Sequence, residues 1–187
     1  MLDLSSIQNS AILRGLEQSH LGPLATIACE RECQEGERLF TRGELADVFY
    51  VAKRGHFALT LQVRVFDERN EFVVEEKGAL DAFGWSALVA PHTSISSAYC
   101  TFDGAVVTFP GDELRQLIST NDSLGRRLSS NLNILIGARV RAVQDLWVRE
   151  LERSRVRIKY WTQTELSSGL RRAVKKRSAS HSVPHGA

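Results

Sequence analysis

The 187 residues hold three cysteines, four prolines and one methionine, and no apolar run approaches the roughly 18 residues of a membrane span. An odd number of cysteines at irregular spacing gives no disulfide framework, so a reducing compartment, the cytosol, is expected. Cys29 and Cys33 lie four apart in a segment that reads as a strand. That spacing separates the side chains by ~13 Å, too far for a shared metal, and both read as small hydrophobes. The five histidines, His20, His56, His92, His181 and His185, are scattered. They assemble no nucleophile, base and orienter, and neither an enzyme nor a metal centre is expected. The start, Met-Leu-Asp-Leu-Ser-Ser, lacks the cationic opening and apolar stretch of a secretion signal.

The chain is 43% hydrophobic, enough for one core with an appendage. Residues 4 to 28 read as short helical pieces with Ile12, Leu13, Leu16, Leu24 and Ile27 as apolar positions and Gly22-Pro23 as a breaker. From Cys29 the pattern changes to short β-branched and aromatic runs: Leu39-Phe40, 48–52, 56–66, 72–75, 97–102 and 105–109. Phe57, Leu59, Leu61, Val63 and Val65 alternate with Ala58, Thr60, Gln62 and Arg64, which predicts a half-buried antiparallel strand.

After Pro110-Gly111 the period turns helical, first over 113–119 and then in a long run with Asn121 or Asp122 as N-cap. Leu124, Leu128, Leu132, Ile136, Val140, Val143, Trp147 and Leu151 form a stripe, with Arg139, Arg141, Gln144, Asp145 and Arg149 between them. At 1.5 Å per residue the stripe runs for roughly 42 Å, longer than a small β-domain covers, and it predicts a parallel dimer through residues 124–151.

Two ordered motifs carry more specific information. Gly36-Glu37-Arg38-Leu39-Phe40-Thr41-Arg42-Gly43-Glu44-Leu45-Ala46-Asp47-Val48-Phe49-Tyr50-Val51, followed by Gly55, resembles the early β-roll of cyclic nucleotide-binding domains. The three glycines fit corners that need positive φ or close backbone approach. Phe83-Gly84-Trp85-Ser86-Ala87-Leu88-Val89 and the following Pro91 to Ala98 resemble that family's phosphate-binding cassette.

The resemblance covers residues 12 to 153 and implies an α+β fold: a jelly-roll-like antiparallel β-roll with short N-terminal helices, a one-turn cassette helix and a long C-terminal dimerisation helix. It also implies three parts: a helical segment over 1–28, the roll and long helix over 29–153, and a basic tail over 154–187. The binding site it implies comprises Phe83, Gly84, Trp85, Ser86, Ala87, Leu88, Ser94 and Ile95.

The cassette departs from the family pattern where charge is needed. Trp85 stands in place of the glutamate that takes the ribose hydroxyl, and Ser94 in place of the arginine that takes the phosphate. Cyclic nucleotide is therefore the family ligand but not an expected tight ligand here. A small anion held by the amides of Ser86, Ala87 and Leu88 is the alternative, with His92 as an accessory charge. Trp85 is expected to fill the pocket or pack on the long helix.

Within 153–177, nine lysines and arginines face Glu165 alone, a net of +8, which leaves −6 for the remainder of a chain of net charge +2. Thr162-Gln163-Thr164-Glu165-Leu166-Ser167-Ser168-Gly169 faintly resembles the opening of a helix-turn-helix and also fits a capping box for a helix over 162–177. Only 36 residues follow Leu151, and Ser178 to Ala187 are small and polar, so sequence-specific DNA binding is not expected. Salt-dependent binding of phosphate backbones by the basic segment is the remaining nucleic-acid reading.

Overall fold

Runs of β-branched and aromatic residues pair into one antiparallel sheet of six strands in the computed structural model, which describes residues 2–65 and 68–153. The strands are β1 (Cys29–Cys33), β2 (Arg38–Phe40), β3 (Val48–Val65), β4 (Glu68–Lys77), β5 (Ala82–Phe83) and β6 (Ser97–Pro110). Their order is β1-β6-β3-β4, with β2 also on β6 and β5 also on β3. Single 3-10 turns cover Ser5–Ile7 and Trp85–Ala87, and three helices follow the chain order: α1 (Gln18–Ile27), α2 (Gly111–Thr120) and α3 (Asp122–Arg153). This is the expected α+β roll, open at its edges, with a long C-terminal helix. Residues 1–145 and 146–187 form separate units. The capping-box segment at 162–177, the helix-turn-helix-like stretch and the Ser178–Ala187 end lie outside the described residues.

Several boundaries differ from those the sequence suggests. The breaks expected near Ala52 and Phe102 are irregularities within two continuous strands, where β3 and β6 shift register between Ala52 and Phe57. Gly55, at φ +87, makes this possible: a Cβ there would stand 2.5 Å from the Gly104 Cα, so the strands touch backbone to backbone and then resume their ladder. Gly36 and Gly43 also take positive φ, as the corner reading requires.

The alternation in β3 holds only in part. Phe57 and Leu59 are buried, but so are Ala58 and Thr60, while Val63 is 44% exposed. The Thr60 face is closed by Glu71, whose carboxylate accepts from the Thr60 and Tyr99 hydroxyls. The ladder to β6 ends at the Thr60 and Ser97 pair, so the residues beyond it pair with β4 alone and lose their cover. Of the β1 cysteines, Cys33 is buried as expected of a small hydrophobe and Cys29, at the strand's first position, is exposed.

Gly22-Pro23 does not break the N-terminal helix; Pro23 sits inside α1. Proline forfeits one N–H and is costly within a helix, yet Leu21, Leu24 and Ala25 on the same helix are buried, and their packing prevails over local propensity. The N-terminal segment shares one core with the sheet and α3, in which Ile7, Ile12, Leu24, Phe49, Val107 and Leu124 are all but fully buried.

Asn121 caps α3, its side-chain oxygen accepting from the Leu124 N–H at 3.1 Å. The stripe read as one seam along α3 then divides. Leu124, Leu128 and Leu132 belong to the core, Leu135 and Ile136 pack on its edge, and Val140 and Val143 are 50% and 44% exposed. Among the described residues no helix is long and apolar enough to cross a membrane.

Candidate functional site

The cassette begins where β5 ends. Gly84, at φ +75, turns the chain over Tyr50: a Cβ at this position would stand 2.8 Å from the Tyr50 ring and 2.9 Å from the Val48 carbonyl. Phe83, just before it, is stacked on Tyr50 with centroids 5.2 Å apart and an interplanar angle of 2°. Burial among these rings pushes the Tyr50 phenol up to about 12. The far side of the cassette is tied by main-chain bonds to the β2–β3 connection, Gly43 N–H to the Ser94 carbonyl at 2.8 Å and Ser94 N–H to the Glu44 carbonyl at 2.9 Å.

The predicted site residues separate into three groups. Gly84, Trp85, Ser86, Ser94 and Ile95 line a cavity of about 20 Å³, together with Phe40, Leu59, Ser96 and Arg139. Phe83 and Trp85 border a second cavity, also about 20 Å³, with Leu59, Glu75, Lys77, Ala82, Leu135 and Arg139. Ala87 is fully buried in the core and Leu88 packs against it, so neither borders these two cavities. Each cavity has room for about one water, whereas small-molecule sites usually span about 300–1,000 Å³. Trp85 is half-buried against the core and borders both cavities, as expected.

The amides proposed to hold an anion are largely committed elsewhere. Ala87 N–H bonds the Gly84 carbonyl at 3.0 Å and Leu88 N–H the Trp85 carbonyl at 2.9 Å. These bonds belong to the 3-10 turn itself, which at three residues has no surplus donors for a ligand. His92 places its Nδ1 3.4 Å from the Ser86 carbonyl and borders neither cavity, so it is a loop residue and not a charge at the site.

Three charged residues stand here that the sequence pattern did not single out. Arg139 reaches from α3 to the walls of both cavities with its side chain only 10% exposed. Its Nη1 donates to Glu75 Oε2, while Lys77 Nζ donates to Glu75 Oε1. The signal was present in the helical period, since Leu128, Leu132, Leu135 and Arg139 step by 4, 3 and 4 and so share the core-facing side of α3. Polarity alone had assigned Arg139 to the outer face. Chemically, the site offers one buried guanidinium, three buried serines (Ser86, Ser94 and Ser96) and an indole wall.

Comparison with known proteins places this arrangement. Residues 30–121 match the family model of the cyclic nucleotide-binding domain. A candidate cyclic nucleotide-binding protein from Geobacter metallireducens superposes with a TM-score of 0.63 at 24% identity, over 75% of this chain and 99% of that one. A cyclic nucleotide-binding domain from Methylobacillus flagellatus gives 0.68 at 17% identity, over 78% and 82%. The catabolite activator protein of Thermus thermophilus gives 0.62 at 21% identity; 76% of this chain is covered, and 63% of the activator. At these identities the likeness is one of fold.

Proposed function

We propose, from the premise that residues 30–121 belong to the cyclic nucleotide-binding domain family, that the chain is a non-enzymatic regulatory module whose cassette takes a small ligand other than a tightly bound cyclic nucleotide and whose output is α3. The reading rests on one observation: Arg139, a side chain of α3, forms part of the wall of the cassette cavity. Occupancy of the cassette and the position of α3 are thereby linked through a single side chain, so a ligand with differential affinity for two placements of that side chain shifts the helix. The exposed Val140 and Val143 further along α3 give the shift a surface to act on, namely a second copy of the chain. A cytosolic setting accords with the free thiols.

Thermal unfolding in the presence of cyclic AMP, cyclic GMP and inorganic phosphate tests the reading. A probe at 100 times its dissociation constant adds about 2.7 kcal/mol of stability, and the same probe should change the dimer dissociation constant measured by light scattering. Stabilisation without any effect on assembly would remove α3 as the output.

A second reading is favoured by the cavity volume of about 20 Å³ beside Trp85: a ligand-free dimerisation scaffold. Its mark is a stable dimer that none of the three probes stabilises.

A further inference from the structure

We infer that Arg139 is the cation through which this site takes an oxyanion, and that the Glu75 carboxylate occupies the ligand's place in the unliganded chain; the inference deepens the proposed cassette reading and rests on it. The family arginine is absent from the cassette, where Ser94 stands, yet the cavity does not lack a guanidinium. It is supplied from α3. Arg139 carries five N–H donors, more than its contact with Glu75 Oε2 uses, and it borders the same cavity as Ser86, Ser94 and Ser96, whose buried hydroxyls are at most 7% exposed.

The charge arrangement makes Glu75 displaceable. Lys77 and Arg139 share one carboxylate, so the three side chains together carry one excess positive charge. When Arg139 turns to an external anion, Lys77 remains on Glu75 Oε1 and the carboxylate is not left as an unpaired buried charge. A guanidinium favours ligands that accept its parallel donors, which selects phosphate-like oxyanions over halides. The cavity of about 20 Å³ admits no nucleoside beside Trp85, so the recognised element is the oxyanion group itself, free or carried on a small molecule. Because the cavity holds about one water, entry requires the Arg139 to Glu75 contact to open, and this moves a side chain of α3.

Calorimetry with inorganic phosphate and with cyclic AMP at low ionic strength tests this on the full chain. Glu75→Gln should bind phosphate about tenfold more tightly than wild type, the scale of one hydrogen bond to a charged group. Arg139→Gln should lose the binding, and the double variant should behave as Arg139→Gln alone. In the wild-type chain, which avoids any folding defect of the variants, the Arg139 Nε–Hε resonance should shift on titration with phosphate. Cyclic AMP binding that depends equally on Arg139 assigns the oxyanion to a phosphodiester, and phosphate binding alone assigns it to a free anion.

An Arg139→Gln chain that binds like wild type, or a silent Arg139 resonance at saturating phosphate, overturns the inference. If binding survives Arg139→Gln but is lost in Ser94→Asp, the cassette reading stands and only the role of Arg139 falls. If neither probe binds wild type or Glu75→Gln, both fall together.

Discussion

Asn131, buried in α3, donates its side-chain amide to the Ile12 carbonyl at 2.8 Å and to the Arg14 carbonyl at 2.9 Å. One residue thus fastens the long helix to the irregular N-terminal segment, whose carbonyls have no helical partner of their own. Replacement by alanine leaves two main-chain acceptors short of a donor in a buried setting. Asn131→Ala should therefore lower stability by about 1–3 kcal/mol in urea titrations, with the far-ultraviolet spectrum unchanged. A loss below a few tenths would mean that water substitutes for the amide.

Asn131 also illustrates what could be read from the chain before folding. The roll was legible because its signals are local: the glycines of the 36–55 segment, the strand composition, and the N-cap at Asn121. So were Gly84, Trp85 and Ser94 as neighbours, because the cassette is a short contiguous loop. Asn131, Glu75 and Arg139 were not, since their roles depend on partners 119, 64 and 64 positions away, which no periodicity within one element reports. The continuous α3 stripe was misleading for a related reason. Leu132 and Val140 look alike in sequence, and only the extent of the core decides that the first is 9% exposed and the second 50%.

Alkaline pH should weaken the fold. Burial, with a smaller contribution from the Glu37 charge, raises the Cys33 thiol from its ordinary 9.0 to about 11, and burial raises the Tyr50 phenol from 10.0 to about 12. The unfolded chain then releases these protons first, so the stability is intact below about pH 9 and is lost progressively as pH rises toward 12. Each group contributes up to about 2–3 kcal/mol of that loss. Urea titrations at pH 7, 9 and 10.5 should show the decline, and Tyr50→Phe together with Cys33→Ala should flatten it. An unchanged slope in the double variant would assign the effect to other groups.

Assembly through α3 should be sensitive to the exposed positions and not to the packed ones. Ile136 rests on the core edge, so a charge there would disturb the fold itself. Val140→Glu with Val143→Glu places like charges on the open face and should convert a dimer to a monomer in light scattering, with the melting temperature of the roll within a few degrees of wild type. A wild-type chain that is already monomeric at 100-fold dilution and at high concentration alike would remove the dimer.

Cyclic AMP and cyclic GMP should bind far more weakly than to a working receptor of this family. Trp85 and Ser94 replace the two charged family anchors, and two lost charge-assisted contacts remove about 3–6 kcal/mol, or two to four decades of affinity. The cavity of about 20 Å³ adds a steric term, because Trp85 must leave before a purine nucleoside can enter. Wild-type dissociation constants near or above the millimolar range are expected by calorimetry, and low-micromolar binding of either nucleotide would show that Arg139 and the serines suffice. The converse change, Trp85→Glu with Ser94→Arg, both opens the space and supplies the anchors, and some affinity should return. Its size separates the two causes. Recovery by Trp85→Ala alone would make the obstacle steric, whereas recovery that requires Ser94→Arg would make it electrostatic and would imply that Arg139, held by Glu75, does not reach a nucleotide phosphate unaided.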